Sequence, residues 1–576
     1  MTSLVGIWST SSMRYYIPLT SLILSCSTVL LWSTSSLADA TARDDAISLH
    51  NEVPDDSYVA SPREDHARST ATRFSSESFF VSQVNVDASG LNIVGDAANE
   101  PSIAVDPTNP DKMVIGWRQF DTITSNFRQA GYGYTTDGGV TWTFPGVIEP
   151  GIFRSDPVLD SDSDGNFYYN SLTLDGGDYL CSVYRTGEPD SPWDLGTPAR
   201  GGDKQWMVID KSAGAGDGNI YAYWNGFFSS CPPGFFTRST NGGDSYESCT
   251  TIPDDPFWGT LNVSPNGTLY TVGAFGDDFI VGRSSNAQFG GSITWDQSNV
   301  VSLGGPVEVG TGPNPEGLLG QACVATDPNS GPGSETVYVL CSVNPPGGDP
   351  LDVKFARSTD GGVTWSSPVR VNDDTGNNWQ WFGTMSVSPS GRIDVIWLDT
   401  RDNSGTLMSS LYYSNSTDGG VTWSPNERLS DAFDPQLGWP QQAKMGDYYH
   451  MVSDDEGFRL AWTATFNGEE DVYFGRKLLS TAAVAEGTPR ARVLLRSAPN
   501  PFHDVSTLHY EVPQDAFVTL GIYDAAGRNV ATLVSEYREA GSYQTELDGH
   551  GLADGIYMCR LEAGAYRDAQ KLQYLK

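Results

Sequence analysis

The stretch Ser358-Thr359-Asp360-Gly361-Gly362-Val363-Thr364-Trp365 decides the fold, because the chain repeats it. Residues 416–423 read Ser-Thr-Asp-Gly-Gly-Val-Thr-Trp, and residues 135–142 read Thr-Thr-Asp-Gly-Gly-Val-Thr-Trp. A variant at 239–246 has Asn for Asp and ends in Tyr, and a degenerate copy with an insertion spans 284–295. In such a turn the Asp or Asn side chain bonds backbone amides, the glycines supply positive φ, and the aromatic residue closes the hairpin. The sequence therefore predicts several copies of one β-hairpin.

A second repeated element precedes these turns and consists of an apolar strand, a short polar turn and another strand that often ends in Trp. It occurs at Ser102 to Trp117, Pro157 to Leu172, Trp206 to Trp224, Thr260 to Gly273, Gln321 to Ser342, Thr384 to Trp397 and Asp447 to Trp462. A period of roughly 50 to 60 residues is typical of four-stranded propeller blades. We predict an all-β protein whose body, residues 79–479, is a seven-bladed β-propeller, with six blades as the alternative. The last unit lacks an outer strand, and we expect Phe80 to Val86 to supply it and close the ring.

The repeated turn resembles the Asp-box, or BNR repeat, of the sialidase-like β-propeller superfamily. The resemblance implies a propeller that acts on extracellular glycans, as sialidases and related glycoside hydrolases do. Two departures count against sialidase activity itself: the chain has about seven units where sialidases have six, and no Arg-Ile-Pro motif precedes the first Asp-box.

Composition limits the partners. The chain has 576 residues and a formal net charge of −37, and such acidity repels nucleic acids and anionic lipid surfaces. At the N-terminus, an apolar run from Ile17 to Trp32 follows Arg14 and precedes small residues near Ala38 and Ala40. This pattern predicts a signal peptide over residues 1–40, followed by a flexible polar leader over residues 41–78. We expect an exported monomer with no transmembrane span, in which Cys231 with Cys249, and Cys323 with Cys341, could form disulfides.

The last part of the chain has a different pattern. Residues 480–492 read as a linker, and residues 493–576 carry Ala-Pro-Asn-Pro-Phe at 498–502 and Gly-Ile-Tyr-Met-Cys-Arg-Leu at 555–561. These motifs resemble the C-terminal sorting domain of the type IX secretion system, a small Ig-like β-sandwich. The resemblance implies handling by that machinery, with delivery across the outer membrane and then release or surface attachment.

Strand direction predicts which residues reach a ligand. In a propeller the Asp-box turns lie at one face, so we assign Asp137, Asn241, Asp360 and Asp418 structural roles. The opposite face holds residues that precede each first strand or follow each second strand. The candidate catalytic residues there are Glu100, Asp156, Asp203, Asp447 and Tyr448. The candidate substrate-binding residues are Arg118, Arg154, Lys204, Trp206, Trp258, Trp381, Asp399 and Arg401. Polar residues at the same face without an assigned role are Asn225, Asp255, Gln321, Gln380 and Lys444.

This combination of residues suits sugars, because aromatic faces stack on pyranose rings, Arg pairs with carboxylates, and paired acids exchange protons. Two functions stay open at this point: glycoside hydrolysis, and binding of a glycan or protein without catalysis. Alternatively, the polar side chains bond one another and hold the blades together. We expect no cofactor. A structural calcium ion is left open at Asp160-Ser161-Asp162-Ser163-Asp164-Gly165, which begins like an EF-hand loop but has Ser171 in place of the terminal Glu.

Overall fold

A computed structural model describes residues 56–76, 78–330, 335–479, 495–498, 500–512, 516–524, 528–539, 541–563 and 566–576. The signal peptide predicted at 1–40 and the linker predicted at 480–492 lie outside these ranges. The all-β prediction is confirmed, because the described residues form strands and three single-turn 3₁₀ helices, at Arg63–Asp65, Gly226–Phe228 and Arg401–Asn403. No helix among them is long and apolar enough to cross a membrane.

The strands up to Leu479 form seven antiparallel sheets of three to five strands and two small pairs. The N-terminal strands are β1 (Arg68–Thr70), β2 (Arg73–Ser75), β3 (Phe79–Gln83) and β4 (Leu91–Ile93). Sheet 1 contains β5 (Ala97–Val105), β6 (Met113–Phe120), β7 (Gln129–Thr135) and β8 (Thr143–Val147). Sheet 2 contains β9 (Ser155–Ser161), β10 (Phe167–Asp175), β11 (Asp178–Thr186) and β12 (Thr197–Pro198). Sheet 3 contains β13 (Trp206–Ile209), β14 (Ile220–Tyr223) and β15 (Phe236–Ser239).

The remaining sheets of the body continue in chain order. Sheet 4 contains β16 (Leu261–Val263), β17 (Leu269–Phe275), β18 (Asp278–Ser284) and β19 (Gln297–Val301), and the pair β20 (Val309–Thr311) and β21 (Asn314–Leu318) follows. Sheet 5 contains β22 (Cys323–Thr326), β23 (Val337–Val343), β24 (Asp352–Ser358) and β25 (Val369–Arg370). Sheet 6 contains β26 (Gln380–Val387), β27 (Ile393–Asp399), β28 (Ser410–Ser416) and β29 (Glu427–Arg428). Sheet 7 contains β30 (His450–Asp454), β31 (Gly457–Ala464) and β32 (Asp471–Leu478), with β3 and β2 outside them.

The seven sheets follow one another around an axis. The first strand of each sheet packs against the first strand of the next, and β30 of sheet 7 packs against β5 of sheet 1. Large buried side chains fill the spaces between neighbouring sheets, among them Trp117, Trp224, Trp397 and Trp462. The aromatic residues that end the second strands thus form the core.

An N-terminal segment closes the arrangement. Strand β3 pairs with β32, so that Phe79 lies opposite Lys477 and Gln83 opposite Tyr473. The segment expected in this position, Phe80 to Val86, does supply the strand, which runs from Phe79 to Gln83. Residues 68–75, placed by the sequence in a flexible leader, form β1 and β2, because β2 pairs with β3 and β1 with β4. The ordered body therefore begins before residue 79.

Three asparagines reinforce this closure. Asn92, Asn99 and Asn85 donate side-chain hydrogen bonds to the consecutive acids Glu469, Glu470 and Asp471, at 3.1, 2.7 and 2.8 Å. Burial raises the pKa of Glu470 well above its ordinary value and that of Asp471 to about 7. The seam between the two ends of the body is thus a row of buried amide and carboxyl groups.

The repeated turns, called Asp-box turns below after the motif they resemble, have the predicted hydrogen bonds. Asp360 accepts hydrogen bonds from the Thr364 amide at 2.9 Å, the Thr364 hydroxyl at 2.6 Å and the Ser358 hydroxyl at 2.7 Å. Asp418 makes the same set of contacts in sheet 6. Gly361 and Gly362 have φ of 73° and 86°, which a glycine adopts without strain. The hydrogen bond from the Thr364 hydroxyl, and after it the bond from the Thr364 amide, lower the pKa of the Asp360 carboxyl to about 2.

The cysteines agree with one expected disulfide and contradict the other. Cys231 and Cys249 are joined, with Cα atoms 6.3 Å apart. Cys323 and Cys341 are free thiols. In the register of β22 and β23, Cys323 lies opposite Leu340, so Cys341, one residue further on, points to the other side of the sheet.

The described residues from 495 onward form a second compact unit. Its strands are β33 (Leu495–Ala498), β34 (Val505–Val512), β35 (Ala516–Asp524), β36 (Asn529–Arg538), β37 (Gly541–Asp548), β38 (Gly555–Ala563) and β39 (Tyr566–Tyr574). They form two antiparallel sheets, ordered β33-β34-β37 and β36-β35-β38-β39, around a core that includes Phe502, Leu520 and Leu561.

Candidate functional site

A left-handed residue recurs just before or within the first strand of several sheets. Glu100, Asp156, Lys204, Trp258 and Phe382, in sheets 1, 2, 3, 4 and 6, have φ between 47° and 57°. At Glu100 and Phe382 the strand also bulges, because the pairing register shifts there. Non-glycine residues in this region cost roughly 1–3 kcal/mol each and persist where the surroundings fix them. Because of this repeated kink, the five side chains do not follow the regular up-and-down alternation of side chains along a strand.

Charged side chains from sheets 1, 2 and 3 and from the segment before sheet 7 come together near three of these positions, Glu100, Asp156 and Lys204. The Lys204 Nζ lies 2.9 Å from an Asp447 carboxylate oxygen, 3.2 Å from Asp203 and 3.9 Å from Asp156. The Lys444 Nζ lies 2.8 Å from Asp447 and 3.6 Å from Glu100. The Arg118 Nε lies 3.3 Å from Glu100. We call these seven residues the ion cluster.

The ion cluster is sealed from solvent. All its side chains are at most 1% exposed, and Tyr448 beside it is 3% exposed with its hydroxyl donating to the Pro157 carbonyl at 2.8 Å. The sequence predicted that four of these acids, with Arg118, Lys204 and Tyr448, share one face. It left open whether they bind a sugar or bond one another, and the structure has them paired with one another and buried.

Burial and partners push the pKa values of the acids apart. Burial raises the pKa of Glu100 to about 8, although the nearby charges of Arg118 and Lys444 oppose the shift. Burial likewise raises the pKa of Asp203 to about 6, with Lys204 opposing it. Burial also disfavours the charge on Asp156, but Lys204, Arg118 and the Ser155 hydroxyl outweigh it and lower the pKa.

The charges of the ion cluster nearly balance. Its cations are Arg118, Lys204 and Lys444. Because Glu100 is mostly protonated at neutral pH, the anions that face them are Asp156, Asp203 and Asp447. The three neighbouring acids Asp156, Asp203 and Asp447 raise the pKa of Lys204 despite its burial. An unpaired buried charge costs several kcal/mol, so this near-balance is what allows the cluster to exist in the interior.

The other predicted binding residues lie apart from the ion cluster or in the core. Arg154 is 5% exposed and binds Glu149 at 2.5 Å, with its guanidinium over the Tyr184 ring. Trp206 packs edge-on against Tyr448 and His450, and Trp258 is 4% exposed beside Phe257. Trp381 is fully buried and donates to the Ser409 hydroxyl. All three tryptophans are thus buried.

Arg401 is the most exposed of the predicted binding residues, but its guanidinium already pairs with acidic side chains. Its guanidinium pairs with Asp373 at 2.6 Å and with the buried Asp399 at 2.8 Å, and it lies over the Tyr412 ring. Asp399 also accepts from the Trp397 indole at 2.7 Å. An acidic sugar would have to displace two carboxylates to reach Arg401.

A cavity of about 450 Å³ lies on the axis, on the side of the ion cluster that faces the Asp-box turns. Residues from the first strands of all seven sheets line it, including Leu159, Met207, Leu261 and Met451. His450 lies along it, and its Nδ1 accepts from the Ile103 amide, so the neutral ring carries its proton on Nε2. Burial lowers the pKa of His450 to about 4.

The segment at Asp160 to Gly165 is the hairpin between β9 and β10. Asp160 binds Lys211 at 2.5 Å, and Asp162 accepts from the amides of Asp164 and Asn166. Over the described part of the chain, no three or more His, Cys, Asp or Glu side chains are grouped so that they could hold a metal ion.

Comparisons with known proteins identify the tail. Residues 498–574 match the family model of the secretion system C-terminal sorting domain, which confirms the sequence-based interpretation of this part of the chain. No curated protein matches the chain. The sorting domain indicates secretion or attachment at the cell surface.

Among solved structures, one of a protein of unknown function from Dyadobacter fermentans is similar over 69% of this chain and 99% of its own, with 14% identity and a TM-score of 0.40. A sialidase from Trypanosoma rangeli is similar over 85% of this chain and 89% of its own, with 12% identity and a TM-score of 0.33. The α-L-arabinofuranosidase Arb93A from Fusarium graminearum is similar over 49% of this chain and 94% of its own, with 13% identity and a TM-score of 0.30.

Proposed function

We propose that the body of this chain is a seven-bladed, sialidase-like β-propeller that binds extracellular glycans without hydrolysing them. The seven sheets that pack in order around an axis and the repeated Asp-box turns support the architecture. The sorting domain supports a site of action outside the cell. The net charge of −37 makes nucleic acid an unfavourable partner.

One observation supports binding without catalysis. The carboxyl groups that would act as acid, base or nucleophile are 0% exposed and already paired with Arg118, Lys204 and Lys444. A glycosidase needs two carboxyl groups with a sugar between them. Here lysine and arginine side chains occupy that space, so the ion cluster joins four sheets instead of reacting.

A glycoside hydrolase is the second candidate, and the pKa values favour it. Glu100 has a pKa raised to about 8 and Asp156 a lowered one, and two carboxyls pushed apart in this way are what acid–base catalysis uses. In that case Glu100 would be the proton donor and Asp156 the ionised partner, and the face would have to open to admit substrate.

The experiment that separates the two candidates uses the purified exported chain and a panel of polysaccharides and oligosaccharides. Binding by titration calorimetry and release of reducing sugar are measured on the same samples. We expect binding to at least one glycan with no reducing sugar above the buffer control. Sustained release of reducing sugar would favour the hydrolase, and no binding to any glycan would contradict both candidates.

For the tail, we propose an Ig-like sandwich that the type IX secretion machinery recognises on a monomeric protein. Two small sheets around one core support the fold. Deleting residues 493–576 should leave the melting temperature of the body nearly unchanged, because the body is a compact unit in itself. In the native host the truncated chain should accumulate in the periplasm. Normal delivery of the truncated chain to the medium or cell surface would contradict this role.

A further inference from the structure

A second concavity lies to the side of the ion cluster, between sheets 3 and 4. This lateral groove has a volume of about 380 Å³, and its walls include Phe227, Pro233, Phe235, Asp254, Asp255 and Phe257. It opens near the end of β14 and the start of β16, so it lies at the face that holds the ion cluster and away from the Asp-box turns. Unlike the ion cluster, it has exposed side chains: Phe227 is 44% exposed and Pro233, Asp254 and Asp255 are exposed.

Several local contacts fix the walls of the lateral groove. Asn225 caps the 3₁₀ helix that carries Phe227 by accepting from the Phe227 amide. The disulfide between Cys231 and Cys249 ties down the segment that carries Pro233. On the other wall, the Ser298 hydroxyl donates to Asp254 at 2.7 Å. A site held in this way loses little entropy when it binds a ligand.

The chemistry of the lateral groove selects its ligand. Phenylalanine rings and a proline ring offer apolar surfaces for the C–H face of a pyranose, and the Asp255 carboxylate accepts from hydroxyl groups. Asp255 has no side-chain partner within the described residues, and no lysine or arginine lines the groove. An anionic sugar would meet two exposed carboxylates and no cation.

We infer that the lateral groove binds an uncharged sugar chain and rejects sialylated ones, an inference that rests on the proposed glycan binding and gives it a location. The site lies between two neighbouring sheets, so it does not require the ion cluster to open. The axial cavity is the competing location, and Lys211 at its lining provides a variant that reports on it.

The test titrates the full exported chain with hexaoses of glucose, xylose, mannose and arabinose, with 3′-sialyllactose, and with hexalysine. Phe227→Ala should weaken binding of the preferred neutral hexaose about tenfold, and Asp255→Asn at least about threefold. Phe289→Ala is the matched control, because Phe289 is a phenylalanine of similar exposure, 52%, that lies in the Asp-box-like turn of sheet 4 at the opposite face. This control and Lys211→Ala should bind the hexaose within about twofold of the wild type.

Five results would overturn the inference. If a neutral hexaose binds and neither Phe227→Ala nor Asp255→Asn changes its affinity, the lateral groove is not the site, although the proposed function survives. If Lys211→Ala alone weakens binding, the ligand lies in the axial cavity. Preference for 3′-sialyllactose, or binding of hexalysine that Asp255→Asn abolishes, would assign the groove to a different ligand. If no neutral hexaose binds, the inference fails, and the glycan proposal fails with it only when 3′-sialyllactose and the wider glycan panel do not bind either.

Discussion

The two faces of the body use the same side chain in opposite ways. At the Asp-box turns, Asp360 is exposed and its partners are the hydroxyl and amide groups of its own hairpin, which lower its pKa to about 2. In the ion cluster, Asp203 is buried and forms an ion pair with the adjacent Lys204, and burial raises the pKa of Asp203 to about 6. The comparison teaches that the residue type does not decide the role of these aspartates. What decides the role is whether the side chain is buried and whether its partners are neutral groups of its own hairpin or charged groups of the ion cluster.

The comparison also separates local from global contributions to stability. An Asp-box turn holds one hairpin together through bonds within eight residues. The ion cluster holds sheets 1, 2, 3 and 7 together through side chains that lie far apart in the chain, as in the ion pair of Lys444 with Glu100. Changes in the cluster should therefore affect the whole body, and changes in a turn should affect one sheet.

The largest effect is expected for Lys204→Met. This change removes the cation shared by Asp156, Asp203 and Asp447 and leaves their charges buried, which should cost about 3–5 kcal/mol of unfolding free energy. Urea unfolding measures it. Lys211→Met is the control, because Lys211 pairs with Asp160 at the surface and should cost less than about 1 kcal/mol. Equal losses in the two variants would show that the cluster does not hold the sheets together.

A smaller effect is expected from pH. Glu100, Asp471 and Asp203 have folded-state pKa values of about 8, 7 and 6, above those of the unfolded chain. The folded state therefore holds protons that the unfolded chain releases, and stability should fall as pH rises from about 5 to 8. Urea unfolding across this range measures the slope.

The variant Asp471→Asn checks the cause of this slope. The amide imitates the protonated acid, so the variant should show a shallower decline between about pH 5 and pH 7 than the wild type. A wild-type stability that rises over the same range would mean that the buried acids are ionised and fully compensated.

The smallest loss of stability is expected at a turn. Asp360→Ala removes acceptors for the Thr364 amide and hydroxyl and for Ser358, and should cost about 1–2 kcal/mol. Asp360→Asn should cost less, because Asn241 makes the equivalent contacts to Ser239 and Ser245 in sheet 3. Thermal unfolding ranks the two variants. A larger loss for Asn than for Ala would contradict this account of the turn.

The sequence predicts the turns well because every partner of Asp360 lies within four residues of it. It also predicts which residues share the opposite face, since strand direction follows from the repeat. Whether these side chains bind a sugar or bond one another stayed open, because that depends on how far Lys204 and Lys444 reach between sheets. Cys323 and Cys341 form no disulfide because they are offset by one residue in the pairing of β22 with β23, which the sequence does not reveal. The lateral groove was missed because its two walls belong to different repeats.

Glu100→Gln tests the central claim most directly, because the variant keeps the shape of an acid that is mostly protonated at neutral pH and removes its ability to donate and accept a proton. Reducing-sugar release and binding affinity are measured at pH 7 for wild type and variant, with the glycan that the protein binds. We predict no release from either protein and affinities within about twofold of each other. Release by the wild type that Glu100→Gln abolishes, with binding retained, would show that the ion cluster is an active site.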